Sequence, residues 1–287
     1  MSSTIATALG MGAILFWSTL ASLTALKGPI PPFQTTAMVF AVGATVGVII
    51  AIARGRISCI KPTAASLALG VYGLFGYHAL YFAALQLAPP AQAHLVSSLW
   101  ALLTVLLSGF LPGVRLRLAH VIAAVMGFAA AGILIWDRAA GTEEFTAMAR
   151  LGFGLALGCA LVWSSYSVGL RLLASVPSES IAVSCLATAV LALACSLAFE
   201  QWTMPAGQTA WLALLGLGIG PVGAAFLLWD AGMKHGNVPL LGVLSYASPI
   251  ISTGLLIWLG LAEATWALGA ACAMMVAAAG LAARATA

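Results

Sequence analysis

Hydrophobic and polar positions in this chain are segregated on the scale of whole helices. Long apolar runs follow one another, and short stretches of glycine, proline or charge interrupt them. A membrane-crossing helix needs about 20 mostly apolar residues, and these runs reach that length. They are continuous rather than alternating, which favours helices over the strands of a barrel. The pattern predicts ten transmembrane helices, at about 4–26, 33–53, 66–87, 92–111, 118–136, 152–174, 180–199, 209–232, 238–261 and 265–283.

The second half of the chain repeats the first. A shift of about 146 to 148 positions places Trp17 on Trp163, and other landmarks align in the same way. The longest polar connection is residues 137–150. We therefore expect two five-helix repeats, 1–136 and 151–287, joined by this connecting loop.

The distribution of arginine and lysine predicts the orientation of the chain, because cytoplasmic loops carry an excess of both. With a cytoplasmic N-terminus, eight of these residues lie inside: Arg54, Arg56, Lys61, Arg115, Arg117, Arg171, Lys234 and Arg284. Three lie outside: Lys27, Arg138 and Arg150. Five helices per repeat make the second repeat inverted. The expected fold is an all-α integral membrane protein with an inverted repeat, both termini cytoplasmic, and a substrate site near the bilayer centre.

The composition excludes several classes of function. The chain is 63% hydrophobic and 6% charged, with a mean hydropathy of +1.11, whereas soluble domains are about a quarter charged. The sequence has no stretch of basic residues with aromatic residues between them, so nothing in it indicates binding to nucleic acid. The five cysteines form no metal-binding pattern, and no catalytic motif is present. We expect no enzyme activity, catalytic residue, metal or cofactor, and we expect the partners to be a small molecule and the lipid bilayer.

Three tryptophans occupy the middles of predicted helices: Trp17, Trp100 and Trp163. Tryptophan normally lies at the membrane interface, where the indole N–H meets water. Packing in the helix core is one explanation of the central positions. The other is that these side chains line a cavity and offer flat apolar faces and an indole donor to a substrate.

Two further segments carry polar groups near the middle of the membrane. Tyr77 and Tyr81 share a helical face, and His78 lies beside them. A lone histidine can be a satisfied core group, or it can bind a substrate or relay a proton. Ser245 and Tyr246 add hydroxyls in the ninth helix. All five are candidate substrate-binding residues, together with the three tryptophans.

Glycine and proline interrupt the third and eighth helices at matching positions of the repeat. Such interruptions indicate helices that move or form the site, although small residues also permit close helix packing. The predicted hinge residues are Gly73, Gly76, Gly220 and Pro221.

The predicted cavity is aromatic, hydroxyl-bearing and close to uncharged, because no acid, lysine or arginine lies in the middle of a helix. Such a lining suits substrates that are neutral overall. We expect a small-molecule exporter, and the alternatives within transport are another metabolite, a nucleoside or a drug-like cation. A membrane enzyme or a receptor is a more remote alternative.

Four segments carry a resemblance to a known family: GMGAILFWSTLASLTAL, its copy GCALVWSSYSVGL, YFAALQLAPPAQAHLVSSLWALLT and LWDAGMKHGNVPLLGVLSYASPIIS. The chain resembles the ten-helix branch of the drug/metabolite transporter superfamily, with two EamA-type domains. Trp17, the segment around His78, Trp100 and Trp163 most resemble the YddG-type exporters. This resemblance implies export of aromatic and other neutral amino acids across a bacterial inner membrane, by alternating access. We expect a single chain to be functional as a monomer.

Overall fold

The computed structural model describes residues 1–88, 90–138, 147–260 and 266–286, which are helical apart from short connections. The α-helices in these ranges are α1 Ser3–Ser18, α2 Leu20–Leu26, α3 Pro32–Ala53, α4 Ala64–Val71, α5 Tyr77–Leu87, α6 Pro90–Ser97, α7 Leu99–Ser108, α8 Leu118–Arg138, α9 Ala147–Leu170, α10 Ile181–Phe199, α11 Gly207–Leu217, α12 Ala225–His235, α13 Val238–Leu244, α14 Ala247–Trp258 and α15 Trp266–Thr286. Two π-helical segments, Tyr72–Gly76 and Gly218–Ala224, join α4 to α5 and α11 to α12.

Among the described residues, six helical stretches are long and apolar enough to cross a membrane. They are Ser3–Leu26, Pro32–Ala53, Ala64–Leu87, Ala147–Leu173, Ser178–Phe199 and Gly207–His235. Their surfaces expose large apolar side chains such as Leu197 and Phe199, which suits contact with lipid. The other four predicted spans fall on α6 with α7, on α8, on α13 with α14, and on α15.

The third and eighth predicted spans are interrupted at equivalent places. Shifted by about 148 positions, Tyr72–Gly76 falls within Gly218–Ala224. Pro221 lies inside the second segment, where it lacks the N–H that an α-helical ladder requires. The four residues predicted as hinges all lie in these π-helical segments: Gly73, Gly76, Gly220 and Pro221.

The fourth and ninth predicted spans are also broken at equivalent places. The break between α6 and α7 lies at Ser98, and the break between α13 and α14 lies at Ser245 and Tyr246, about 148 positions further on. The hydroxyls of Ser97 and Ser98 both donate to the carbonyl of His94, at 2.8 Å each. Serine bonds of this kind bend helices, so they account for the first break.

The helices form two compact units that do not follow the sequence halves. The first unit is Met1–Phe75 with Gly169–Gly236, and the second is Gly76–Val168 with Asn237–Ala287. Each unit therefore takes helices from both predicted repeats. The chain passes from the first unit to the second at Phe75, inside the first π-helical segment.

In the first unit, α3 and α10 are tied together at both ends. At one end the Glu200 carboxylate accepts the N–H groups of Phe33 and Gln34, at 2.7 and 2.8 Å. The carboxylate satisfies two N–H groups in the first turn of α3 and lies at the positive end of that helix. At the other end Glu179, whose side chain is buried, forms an ion pair with Arg56 at 3.0 Å. The two helices are thus held in a fixed register.

A buried ion pair closes α12 in the same unit. Lys234 Nζ lies 2.8 Å from a carboxylate oxygen of Asp230, and both side chains are almost fully buried. Lys234 also donates to the carbonyl of Val176 at 2.8 Å, while Arg171 donates to the carbonyl of Lys234 at 2.9 Å. Buried charges need such partners, so the pair is part of the packing of α12 against the segment after α9.

Candidate functional site

A group of aromatic side chains in the second unit brings together five of the eight residues proposed from the sequence. We call it the aromatic cluster. Four helices supply its members: Tyr77, His78, Tyr81 and Phe82 from α5, His94 from α6, Trp100 from α7, and Trp163 and Tyr166 from α9.

Helix α5 presents two neighbouring rows of rings because residues four apart share a face. The rings of Tyr77 and Tyr81 are stacked, with centroids 5.8 Å apart and planes at 10°. In the next row His78 and Phe82 are 6.0 Å apart. The shared face predicted for the two tyrosines is therefore confirmed as a direct stacking contact.

Trp163 is the centre of the aromatic cluster. Its ring lies 5.1 Å from Tyr77, 5.3 Å from Tyr166 and 6.2 Å from Trp100, in tilted or edge-to-face geometry. Aromatic pairs favour such arrangements over face-to-face sandwiches. Trp163 and Tyr166 are buried, whereas Tyr77 and Trp100 are partly exposed. The buried pair forms a base on which the more exposed rings are held.

A hydrogen bond from the ninth predicted span reaches the backbone of α7 close to Trp100. The N–H of Leu102 donates to the hydroxyl of Tyr246 at 2.9 Å, close to the break before α7. Tyr246 is buried, and its ring packs directly against Gly127, where a β-carbon would clash with it. The hydroxyl supplies the acceptor that an unbroken helix would have provided from its own backbone.

Ser245 and Tyr246, both proposed as substrate-binding residues, are engaged in helix packing. The Ser245 hydroxyl donates to the carbonyl of Leu241 at 2.7 Å, and both side chains are buried. Tyr246 therefore acts on the aromatic cluster through the backbone of α7 in this conformation.

Trp17 lies in the first unit and has a separate set of neighbours. Its ring is 5.0 Å from Trp229 and 6.1 Å from Phe226. Its indole N–H donates to the carbonyl of Pro221 at 2.9 Å. A π-helical turn leaves backbone groups without their usual α-helical partners, and the indole provides one. The donor that the sequence analysis assigned to a substrate is bonded to the π-helical segment here.

His94 is a member of the aromatic cluster that sequence reasoning did not single out. It lies near the end of a predicted span, but its Nδ1 is 2.9 Å from the hydroxyl of Tyr81. The signal that could have found it is the Ser97-Ser98 pair, because serines that bond back to His94 bend the helix at that point.

The chemistry of the aromatic cluster is that of an uncharged recognition surface. None of its eight side chains is a carboxylate, an ammonium or a guanidinium group. Its members offer flat π faces, phenolic hydroxyls and imidazole nitrogens. Within the described residues, no group of three or more His, Cys, Asp or Glu could hold a metal ion. The arrangement suits a planar apolar ligand with a few hydrogen-bonding groups.

Comparison with known proteins gives a family match over nearly the whole chain. The model of the EamA-like transporter family matches twice, at residues 4–136 and 150–284. The two matches lie on the two halves between which the sequence repeat was found.

Two curated proteins and one of the solved structures that are similar to the chain illustrate the match. The "Aromatic amino acid exporter YddG" of Ancylobacter novellus is 50% identical over 277 residues, which cover 96% of each chain. The "Riboflavin transporter" of Vibrio cholerae serotype O1 is 30% identical over 136 residues, 44% of this chain and 43% of the relative. A crystal structure with 50% sequence identity superposes with a TM-score of 0.94 and covers 98% of this chain and 97% of the other.

The bond from Trp17 to Pro221 generates a prediction. Trp17→Phe keeps an aromatic ring but removes the indole N–H, so the Pro221 carbonyl loses its donor. We expect faster amide hydrogen exchange in residues 218–224 and a loss of about 1 kcal/mol of stability. Trp211→Phe, at an exposed position of α11, is the matched control. Unchanged exchange in this segment would show that the indole does not hold it.

Proposed function

Because the chain belongs to the EamA-like transporter family, we propose that it exports aromatic and other neutral amino acids by alternating access. The family and the apolar helical spans make it a multi-pass transporter of the bacterial inner membrane rather than an enzyme. The observation that carries the substrate proposal is the uncharged aromatic cluster, to which four helices contribute. Similarity to a protein named as an aromatic amino acid exporter supports the same assignment.

The aromatic cluster is proposed to bind the substrate side chain. Partly exposed rings are supplied by Trp100, Tyr77 and Tyr81. The buried Trp163 packs against the rings of Tyr77 and Trp100. An aromatic side chain would gain apolar contact and ring–ring geometry from such a surface. A cationic substrate would find no carboxylate among the side chains of this cluster, so the amino acid proposal is favoured over a drug-like cation.

The two π-helical segments are the proposed hinges of the transport cycle. They occupy equivalent positions in the two halves, and they contain glycines and one proline. Interrupted helices at matching positions of two repeats are typical of the moving helices of transporters. The Phe75 position supports this role, because the division between the compact units falls there. The proposed transport unit is a single chain.

We propose ten transmembrane helices in an inverted repeat of two five-helix halves, with both termini cytoplasmic. Support comes from the eight-to-three distribution of lysine and arginine and from the matching helix breaks in the two halves. The proposed repeats are 1–136 and 151–287. The ends of the predicted connecting loop, 137–150, belong to α8 and α9, and its middle, 139–146, lies outside the described residues.

Cysteine labelling tests this topology. In a variant whose five native cysteines are replaced by serine, Gln201→Cys is expected to react with an impermeant maleimide in intact cells. Ser58→Cys is expected to react only after the membrane is permeabilised, because residues 54–63 are predicted to be cytoplasmic. Both positions are exposed. The reverse pattern would contradict the proposed orientation, and labelling of both in intact cells would contradict the span count between them.

Transport in proteoliposomes tests the function. We expect the purified protein to move tryptophan, phenylalanine or threonine, and Trp100→Ala to lower tryptophan uptake by about tenfold through lost aromatic contact. Trp258→Ala, at an exposed position of α14, is the control. His78→Ala is also expected to reduce the rate. If no neutral amino acid is taken up, the substrate assignment is wrong; uptake by Trp100→Ala equal to that of the control excludes a role for this ring.

A further inference from the structure

The hydrogen bond between Tyr81 and His94 stands at the more open part of the aromatic cluster. The Tyr81 hydroxyl and the Nδ1 atom of His94 are 2.9 Å apart. His94 is exposed and Tyr81 is half-buried. The neighbouring Tyr77 side chain has the buried Cys159 thiol close to its hydroxyl. Of the two stacked tyrosines, Tyr81 is therefore the one whose hydroxyl meets an accessible polar group.

Two protonation patterns are open to a neutral Tyr81–His94 pair, and both leave one donor and one acceptor. If Nδ1 accepts from the tyrosine, the phenolic oxygen keeps lone pairs and Nε2–H remains a donor. If Nδ1–H donates to the tyrosine, the phenolic O–H remains a donor and Nε2 an acceptor. The pair is thus complementary to a ligand that carries a donor and an acceptor side by side.

We propose that the Tyr81–His94 pair recognises the α-ammonium and α-carboxylate groups of the transported amino acid. This inference rests on the proposed function and names the polar half of the same site. An amino acid zwitterion carries a donor group and an acceptor group on the same carbon atom and has no net charge at its α-carbon. The pair matches both groups without a buried charge of its own, and the stacked rings of Tyr77 and Tyr81 continue from it toward Trp163.

Competition against labelled tryptophan tests the proposal on the unmodified protein. Unlabelled tryptophan, tryptamine and indole-3-propionate are compared as inhibitors of uptake into proteoliposomes. Tryptamine lacks the carboxylate, and indole-3-propionate lacks the ammonium group. We expect each analogue to inhibit about tenfold less well than tryptophan, because each leaves one group of the pair without a charged partner.

Two variants assign that discrimination to the pair. His94→Phe and Tyr81→Phe keep a ring but remove the polar atoms of one partner, so each is expected to raise the KM for tryptophan about tenfold and to narrow the difference in inhibition between tryptophan and the two analogues. The double variant removes both polar partners and is expected to be worse than either single variant, but by less than the product of the two effects, because the two residues are coupled by their hydrogen bond. His235→Phe, at an exposed position of α12, is the matched control and should retain the wild-type order of inhibitors.

The outcomes separate this inference from the proposed function. Tryptophan uptake with equal inhibition by all three compounds in the wild-type protein contradicts the inference alone. Full discrimination in His94→Phe also contradicts it, because the polar half of the site would then lie elsewhere. Failure of the wild-type protein to take up tryptophan contradicts the proposed function and the inference with it. The comparison of inhibitors in the wild-type protein needs no variant, so poor folding of either variant leaves that test intact.

Discussion

Backbone polar groups in a lipid-embedded helix must find partners inside the protein, and this constraint explains the main irregularities of the structure. The π-helical segment around Pro221 has the indole of Trp17 as a donor to its carbonyl. The break before α7 has the Tyr246 hydroxyl as an acceptor for Leu102. Irregular backbone is tolerated where side chains of this kind replace the missing bonds. The Trp17 indole and the Tyr246 hydroxyl thus each lie beside an interruption of a helix and bond to its backbone.

The aromatic and histidine side chains fall into two groups, one that stabilises the helices and one that is proposed to bind the substrate. The polar atoms of Trp17 and Tyr246 form hydrogen bonds with backbone groups within their own units. The Tyr81 hydroxyl and the His94 imidazole form a hydrogen bond with each other at an accessible position. Trp163 is buried and supports the rings around it. The partner of each polar atom thus distinguishes two roles. A side chain that bonds to the backbone, such as Trp17 or Tyr246, stabilises an interrupted helix. The accessible Tyr81–His94 pair belongs to the surface that is proposed to bind the substrate.

Much of this organisation follows from the sequence, and the rest depends on tertiary contacts. The apolar runs predicted the positions of the helices, and the glycine and proline residues within them predicted the interruptions at Gly73 and Pro221. Both predictions were possible because span length and proline chemistry are local properties. Helical spacing predicted that Tyr77 and Tyr81 share a face. The pairing of Tyr81 with His94 could not be predicted, because it joins two helices whose relative rotation is set by packing. The bond from Trp17 to Pro221 joins positions 204 residues apart for the same reason.

A structure determined with tryptophan bound would test the central claim most directly, namely that the aromatic cluster forms the substrate site. The account predicts that the ligand's indole lies within about 4 Å of Trp100 or Tyr77, a normal contact distance for apolar groups. It also predicts that the ammonium and carboxylate groups lie within hydrogen-bonding distance of Tyr81 and His94. Tryptophan bound with no contact to the aromatic cluster would contradict the account.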